Sequence, residues 1–160
     1  MRKGSPNGGD KVKISAALAQ TGQVFLDTAP LIFLVEANPS YLDLMRAVFE
    51  MIENGQLRAI TSPISLAECL IHPIRQSNVA AINTFTNLIT SGANTSFVSI
   101  GEVVARRAAE LRVMYKFKLP DSLQLATEIE SGCESFLTND HQLSQVSEIN
   151  VIVIDDMELD

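Results

Sequence analysis

The sequence predicts an α/β fold built on a parallel sheet. Short apolar segments alternate with longer, helix-like segments five times along the 160 residues. The short segments lack the strict alternation of polar and apolar residues that marks a strand with one solvated face. Strands of this kind are usually covered on both faces by helices, as in parallel sheets. The chain length suits one domain with a substantial core.

Five strands are predicted from these apolar segments. They are QVFLD (23–27), LRAIT (57–61), TSFVSI (95–100), SFLTND (135–140) and NVIVID (150–155). Six helices are predicted between them. These are PLIFLVEAN (30–38), SYLDLMRAVFEMIENG (40–55), SPISLAECLIH (62–72), NVAAINTFTNLITSG (78–92), GEVVARRAAELRVMYK (101–116) and PDSLQLATEIESG (120–132).

Residues that start and stop helices set these boundaries. Pro30 is tolerated in the first helical turn, and Ser40 and Ser62 are good N-cap residues. Gly55 is a typical helix terminator, and Pro73 is expected to end the helix that Ser62 begins.

The first 22 residues are expected to form a loosely ordered leader, because Gly, Ser, Pro and Asn follow the early basic residues. Residues 23–160 are expected to form the domain. No apolar run reaches the roughly 18 residues that a membrane span needs. With only Cys69 and Cys133, a disulfide framework is not expected, and a reducing cytoplasm is the simplest location.

The charge is unevenly distributed. The net charge is −7, and residues 121–160 contribute ten Asp or Glu and no Lys or Arg. Residues 101–120 carry five Lys or Arg against two Glu, and residues 1–100 are neutral overall. This distribution does not match a basic scaffold for non-specific nucleic-acid binding. A polyanion would have to be held locally or bridged by metal ions.

Four acidic residues are predicted to meet at one edge of the sheet. Asp27 and Asp140 lie at the ends of predicted strands, and ligands of open parallel sheets bind beyond those ends. Glu68 is surrounded by apolar residues on a helix, and Asp121 lies in the first turn of another.

Such a group of carboxylates would be unfavourable alone. Two like charges about 4 Å apart repel by roughly 4 kcal/mol at an effective dielectric near 20. The group must therefore take up protons or bind cations. Ligands that are all oxygen favour Mg²⁺ or Mn²⁺, and such ions suit the hydrolysis of phosphodiesters.

Each of these residues also has a purely structural interpretation. Asp27 could cap the helix that follows it, Asp121 could be an acid favoured by the helix dipole, and Asp140 could form an Asx turn. Glu68 has the weakest alternative of this kind. Near Asp121, Lys116 and Lys118 are candidates for steering RNA phosphates.

The order and spacing of these segments resemble the PIN-domain ribonucleases, a group that includes the VapC-type toxins. The resemblance runs from about residue 23 to residue 155. It is carried by VFLDTAPLIFL (24–34), SPISLAECL (62–70), KLPDSLQLATEIESGCESFLTND (118–140) and the closing strand VIVID (151–155). The late segment is the most specific of the four.

The resemblance implies a three-layer α/β/α sandwich with a central parallel sheet of about five strands. It implies RNA cleavage by a water that Mg²⁺ or Mn²⁺ activates. The family's acidic positions, which serve as catalytic residues and metal ligands, fall on Asp27, Glu68, Asp121 and Asp140. Thr138 matches a supporting hydroxyl residue, and Asn139 is a candidate to hold a metal-bound water. A small antitoxin partner and a homodimer are further implications, with the helix face of residues 41–53 as one candidate dimer surface.

Two other functions compete with this one. A PIN-like module that binds RNA or protein without cleaving it would share the fold but not the metal chemistry. A haloacid-dehalogenase-like phosphatase would use Asp27 as a nucleophile. Its motif normally has a second aspartate two residues later, where this sequence has Ala29.

Overall fold

The structure, a computed structural model, describes residues 9–160 and contains a five-stranded, fully parallel sheet. In chain order the strands are β1 (Val12–Lys13), β2 (Gln23–Leu26), β3 (Arg58–Thr61), β4 (Thr95–Phe97), β5 (Ser135–Thr138), β6 (Asn150–Val153) and β7 (Met157–Glu158). Strands β2 to β6 form the central sheet, and β1 pairs with β7 in a separate two-stranded sheet. The five predicted strands are therefore the five strands of the central sheet.

Seven α-helices surround the sheet in the described part of the chain. They are α1 (Ile14–Ala17), α2 (Thr28–Val35), α3 (Leu42–Glu53), α4 (Pro63–Arg75), α5 (Val79–Ser91), α6 (Glu102–Tyr115) and α7 (Leu119–Ser131). Short 3₁₀ helices follow β5 at His141–Gln145 and β6 at Ile154–Asp156. Over residues 9–160, no helix has the length and apolar character to cross a membrane.

The strand order is β4-β3-β2-β5-β6, so the chain starts at the centre of the sheet and builds outward in both directions. The first half of the chain adds β3 and β4 on one side of β2, and the second half adds β5 and β6 on the other. The topology therefore reverses between β2 and β5. In open parallel sheets, ligands bind in the crevice at such a switch point.

Alternate residues of the central strands enter two separate cores. Leu26 and Leu137 pack with helices α1 to α5, whereas Phe25 and Phe136 pack with α6 and α7. The two phenylalanines are register partners on β2 and β5, and their rings stack with centroids 5.2 Å apart. The predicted three-layer α/β/α sandwich is confirmed, and burial on both faces explains the continuous apolar strands.

Three predicted helix boundaries are wrong. Helix α2 begins at Thr28, two residues before Pro30. Tyr41, not Ser40, is the N-cap of α3, and its side chain makes no capping hydrogen bond. Helix α4 continues through Pro73 to Arg75. Pro73 removes only one backbone hydrogen bond near the helix end, and its ring is buried, so burial compensates for the loss.

The expectation of a loosely ordered leader is wrong for residues 12–18. Strand β1 pairs in parallel with β7, and the Lys13 ammonium lies 3.1 Å from the Glu158 carboxylate. Ile14 and Leu18 are each 3% exposed and belong to the core shared with α3. We call residues 12–18 together with 157–160 the terminal clasp. Its partners are more than 130 residues apart, so local sequence could not reveal it; residues 1–8 lie outside the described part.

The clasp should contribute measurably to stability. Ile14→Ala should lower the free energy of unfolding by about 2–4 kcal/mol, because it removes a buried aliphatic side chain and leaves a cavity. Val12→Ala is the matched control; Val12 is 45% exposed, and its loss should change stability by less than about 0.5 kcal/mol. Urea unfolding followed by circular dichroism measures both. Equal, small effects would mean that residues 12–18 do not pack as described.

Candidate active site

The switch point brings two of the predicted acidic residues together. Asp27 directly follows β2 and Asp140 follows β5 by two residues, and these strands are neighbours. The backbone N–H of Asp27 donates to Leu137 O at 3.0 Å, which extends the pairing of the two strands to Asp27 itself. Thr138, the last residue of β5, donates its hydroxyl to Asp27 Oδ2 at 2.7 Å.

Asp27 is both a helix cap and a buried acid. Its Oδ1 accepts from the Thr28 N–H at 2.8 Å, so it caps α2. Its side chain is nonetheless buried, with the residue 8% exposed. Burial raises the pKa of the Asp27 carboxyl to about 6, against the opposing effect of the hydrogen bonds from Thr138 and Thr28. The negative charges of Asp121 and Glu68 raise this pKa further.

Glu68 reaches the same place from helix α4. The helix starts directly after β3, with Ser62 as its N-cap, so its first two turns lie at the carboxyl edge of the sheet. The Thr28 hydroxyl donates to Glu68 Oε1 at 3.0 Å. The residue after Asp27 thus orients the glutamate, and sequence reasoning did not assign Thr28 this role.

Asp121 completes the group from the first turn of α7. Desolvation raises the pKa of its carboxyl, and the charges of Asp140 and Glu68 raise it further, while Lys118 opposes the shift. Asp121 therefore feels the charge of both neighbours, and Asp27 feels that of Asp121. We call Asp27, Glu68, Asp121 and Asp140 the acidic cluster.

Asp140 also has the structural role that its sequence allows. Its Oδ1 accepts from the Gln142 N–H at 2.9 Å and caps the 3₁₀ helix that follows. Its own N–H donates to the Thr138 hydroxyl oxygen at 3.1 Å. Thr138 therefore connects Asp140 to Asp27, and its role as a supporting residue of a metal site stays a prediction.

Asn139 is held away from this network. Its Oδ1 accepts from the Asp155 N–H at 3.0 Å, and the Asp155 carboxylate accepts from the Tyr41 hydroxyl at 2.6 Å. In this arrangement Asn139 ties the end of β5 to the end of β6. A role in holding water at the acidic cluster stays a prediction.

A buried polar network positions the two helices that carry Glu68 and Asp121. Ser62 donates its hydroxyl to Gln124 Oε1 at 2.5 Å, and Gln124 Nε2 donates to Ser65 Oγ at 2.7 Å. Gln124 is fully buried and lies one turn beyond Asp121, while Ser65 lies one turn before Glu68. This network was not predicted; a glutamine inside the apolar run LQLAT was the available signal.

The donor set fits a hard divalent cation, because it consists of carboxylate oxygens with one buried acid. The side chains do not form a metal-binding arrangement in their present conformations. Among residues 9–160, no three His, Cys, Asp or Glu side chains lie close enough together to hold a metal ion. Like charges repel, and three of the carboxylates are instead bonded to protein donors: Glu68 to the Thr28 hydroxyl, Asp27 to the Thr138 hydroxyl and Asp140 to the Gln142 N–H. Metal binding would require side-chain rotation towards a common point.

A sequence model of the PIN domain matches residues 24–149, the segment that contains all four acids. The chain belongs to the PIN-domain family. No curated protein sequence matches it significantly.

Solved structures of the same fold support this assignment. VapBC2 from Rickettsia felis, solved with a promoter DNA fragment, aligns with a TM-score of 0.67 and 14% identity, covering 82% of this chain and 98% of the other. VapC20 from Mycobacterium tuberculosis, described as a toxin that cleaves the sarcin–ricin loop, gives 0.65 and 16%, covering 79% and 98%. A toxin–antitoxin complex from Klebsiella pneumoniae gives 0.61 and 19%, covering 82% and 97%. At these identities the likeness establishes the fold.

Burial of Asp27 predicts an unusual pH dependence for the metal-free PIN domain. A pKa of about 6 in place of 3.8 corresponds to about 3 kcal/mol of lost stability once the carboxyl is ionised in both states. The folded protein binds the extra proton between about pH 4 and 6, so this loss develops as the pH rises through that window. Asp27→Asn should therefore be more stable than the wild type by about 1–3 kcal/mol at pH 7, and the difference should vanish near pH 4.

Urea unfolding in a chelator at both pH values tests this. Titrating groups that do not interact with Asp27 cancel in the difference, including Glu128, whose pKa burial raises to about 7. Asp43→Asn is the matched control, because the Asp43 side chain is 79% exposed and its loss should change stability by less than about 0.5 kcal/mol. A less stable Asp27→Asn protein at pH 7 would show that Thr138 and Thr28 fully compensate the buried charge.

Proposed function

We propose that this PIN-domain protein is a metal-dependent ribonuclease that hydrolyses RNA phosphodiesters and acts as the toxin of a toxin–antitoxin pair. The observation that carries the proposal is the placement of four carboxylates from four separate segments at the switch point. A purely structural explanation accounts for one hydrogen bond at Asp27 and one at Asp140. It also allows Asp121 as an acid in the first turn of α7, but it does not account for Glu68 at the same edge.

The roles of the chain's own residues follow from their contacts. Asp27, Glu68 and Asp121 would hold one Mg²⁺ or Mn²⁺ ion, and Asp140 would bind it directly or through water, or assist a second ion. When bound, such an ion lowers the pKa of a water molecule and neutralises phosphate oxygens. Thr138 fixes the orientation of Asp27 through its hydrogen bond.

The RNA must be held against a protein of net charge −7. Lys116 and Lys118 lie immediately before α7 and are exposed. Lys118 is near enough to lower the pKa of Asp121. These two lysines would attract the RNA phosphates next to the acidic cluster. A bound cation would offset the remaining negative charge of the carboxylates.

One observation favours the alternative of a catalytically silent PIN-like module that binds RNA or protein. No three acidic side chains in the described residues meet at metal-binding distance. The two functions differ in whether a divalent cation draws these side chains together.

Cleavage of labelled RNA separates the two. Single-stranded RNA should be cut in Mn²⁺ and not in chelator. Asp27→Asn and Glu68→Gln should each lose at least about 100-fold in rate, since removal of a direct ligand should cost at least as much as removal of an outer-shell partner. Glu53→Gln should cleave normally, because Glu53 is the exposed last residue of α3 and does not belong to the acidic cluster. Intact RNA under all conditions with a folded wild-type protein would favour the silent module.

The same variants allow a test of metal binding that does not depend on activity. Mn²⁺ should raise the thermal midpoint of the wild type, because a ligand that binds only the folded state stabilises it. Asp27→Asn should show little or no rise. A shift of equal size in both proteins would place the cation elsewhere.

A toxin of this kind should have a small protein partner that occludes the acidic cluster with a basic side chain. The similar structure from Klebsiella pneumoniae is described as a toxin–antitoxin complex. Expression of the PIN domain alone should arrest growth, and co-expression of a neighbouring small reading frame should restore it. The Asp27→Asn variant should not arrest growth; harmless expression of the wild type would count against a toxin.

The PIN domain is also proposed to form a homodimer. Residues 41–53 do not supply the surface, because Met45, Val48 and Ile52 of α3 are buried in the protein's own core. Another surface must therefore provide the contact.

A further inference from the structure

We propose that a cleft beside the acidic cluster binds one unpaired nucleotide of the RNA and selects the base that flanks the cut phosphodiester. This inference rests on the proposed ribonuclease function and adds base recognition to it. The cleft has a volume of about 450 Å³, within the range of small-molecule sites. One side of it is lined by Tyr115, Lys116, Phe117, Lys118, Gln142 and Gln145.

The position of the cleft connects it to the proposed chemistry. Asp121 and Asp140 also line the cleft, and both belong to the acidic cluster. A nucleotide bound there would therefore place its own phosphate next to these carboxylates. The lysines line the same cleft, so positive groups that suit a phosphate lie in one nucleotide-sized site with the two carboxylates.

The turn between α6 and α7 is held in place before any ligand binds. Lys116 adopts a left-handed conformation with φ of 60°, and its N–H donates to Arg112 O at 2.9 Å. The Arg112 guanidinium also donates to Phe117 O. Phe117 is 6% exposed and anchors the turn in the core shared by α6 and α7. Little ordering entropy would have to be lost when a ligand enters.

The aromatic pair offers a surface for stacking. The rings of Tyr115 and Phe117 stack with centroids 5.4 Å apart and planes inclined by 12°. Phe117 is buried beneath, whereas Tyr115 is only half-buried and lines the cleft. Unpaired bases stack on aromatic side chains of this kind. The hydroxyl group of Tyr115 is not required for stacking, so a phenylalanine at this position should stack equally well.

The polar groups of the cleft are free to contact a ligand. Lys116 and Lys118 are exposed, and no carboxylate in residues 9–160 forms a salt bridge with either. The side-chain amides of Gln142 and Gln145 are exposed on the 3₁₀ helix after β5. Lysines suit phosphates, and carboxamides suit the hydrogen-bonding edges of bases. An acidic peptide would satisfy the lysines but would not use the aromatic face of Tyr115 for stacking.

Binding to defined oligonucleotides tests the inference without cleavage. All proteins carry Asp27→Asn and are measured in chelator by fluorescence anisotropy. The probes are labelled oligo(rA), oligo(rC), oligo(rU) and an abasic ribose–phosphate strand, each about ten nucleotides long. The abasic strand should bind at least about 10-fold more weakly than the best base-containing strand, the loss expected for a stacked base.

Variants separate base contacts from phosphate contacts. Tyr115→Leu and Gln145→Ala should reduce the difference between base-containing and abasic strands, whereas Tyr115→Phe should preserve it. Asparagine tolerates the left-handed conformation of residue 116. Lys116→Asn should therefore weaken the binding of all four probes by a similar factor. Gln76→Ala is the matched control, since Gln76 lies at the far end of α4, about 20 Å along the helix from Ser62.

Two results would overturn the inference: equal binding of abasic and base-containing strands, or unchanged base dependence in a folded Tyr115→Leu protein. Failure of the ribonuclease proposal is a different result. RNA that binds with base preference but is never cut in Mn²⁺ by the wild type would remove the proposed activity and leave the nucleotide site. Cutting of RNA without any base dependence would support the ribonuclease activity and remove the nucleotide site.

Discussion

The burial of a charge at the centre of the sheet edge is the constraint on which the rest of this site depends. Asp27 lies where the two halves of the chain diverge, with β5 beside it and α2 starting from it. Its position is unfavourable for a charge, as the raised pKa shows. Thr138 and Thr28 partly compensate by donating hydrogen bonds. A bound cation or a proton would remove the unfavourable free energy that remains. Asp27 therefore links the fold to the proposed chemistry.

The surrounding structure keeps the other carboxylates near this charge although they repel one another. Helices α4 and α7 are locked together by the buried amide of Gln124 between two serines. Each helix then directs one acid, Glu68 or Asp121, to the sheet edge. Such fully satisfied buried networks define a single arrangement of the elements they join.

The sequence predicted those parts of the molecule whose physics is local. Apolar strands without alternation indicated a sheet covered on both faces, and the carboxyl-edge rule placed Asp27 and Asp140 together. Pairings distant in sequence could not be predicted this way. The contacts of Ser62 and Ser65 with Gln124, and of Thr28 with Glu68, join segments 40 or more residues apart. The predicted end of α4 before Pro73 was wrong for a different reason. Burial of the Pro73 ring outweighed the tendency of proline to end a helix.

The terminal clasp has a consequence for how the chain reaches its native state. Strand β1 pairs with residues 157–158, so Ile14 and Leu18 lack part of their packing until that region is in place. Contacts that close so long a loop are entropically costly and tend to form late. Residues 157–160 therefore complete the enclosure of Ile14 and Leu18 at a late step of folding.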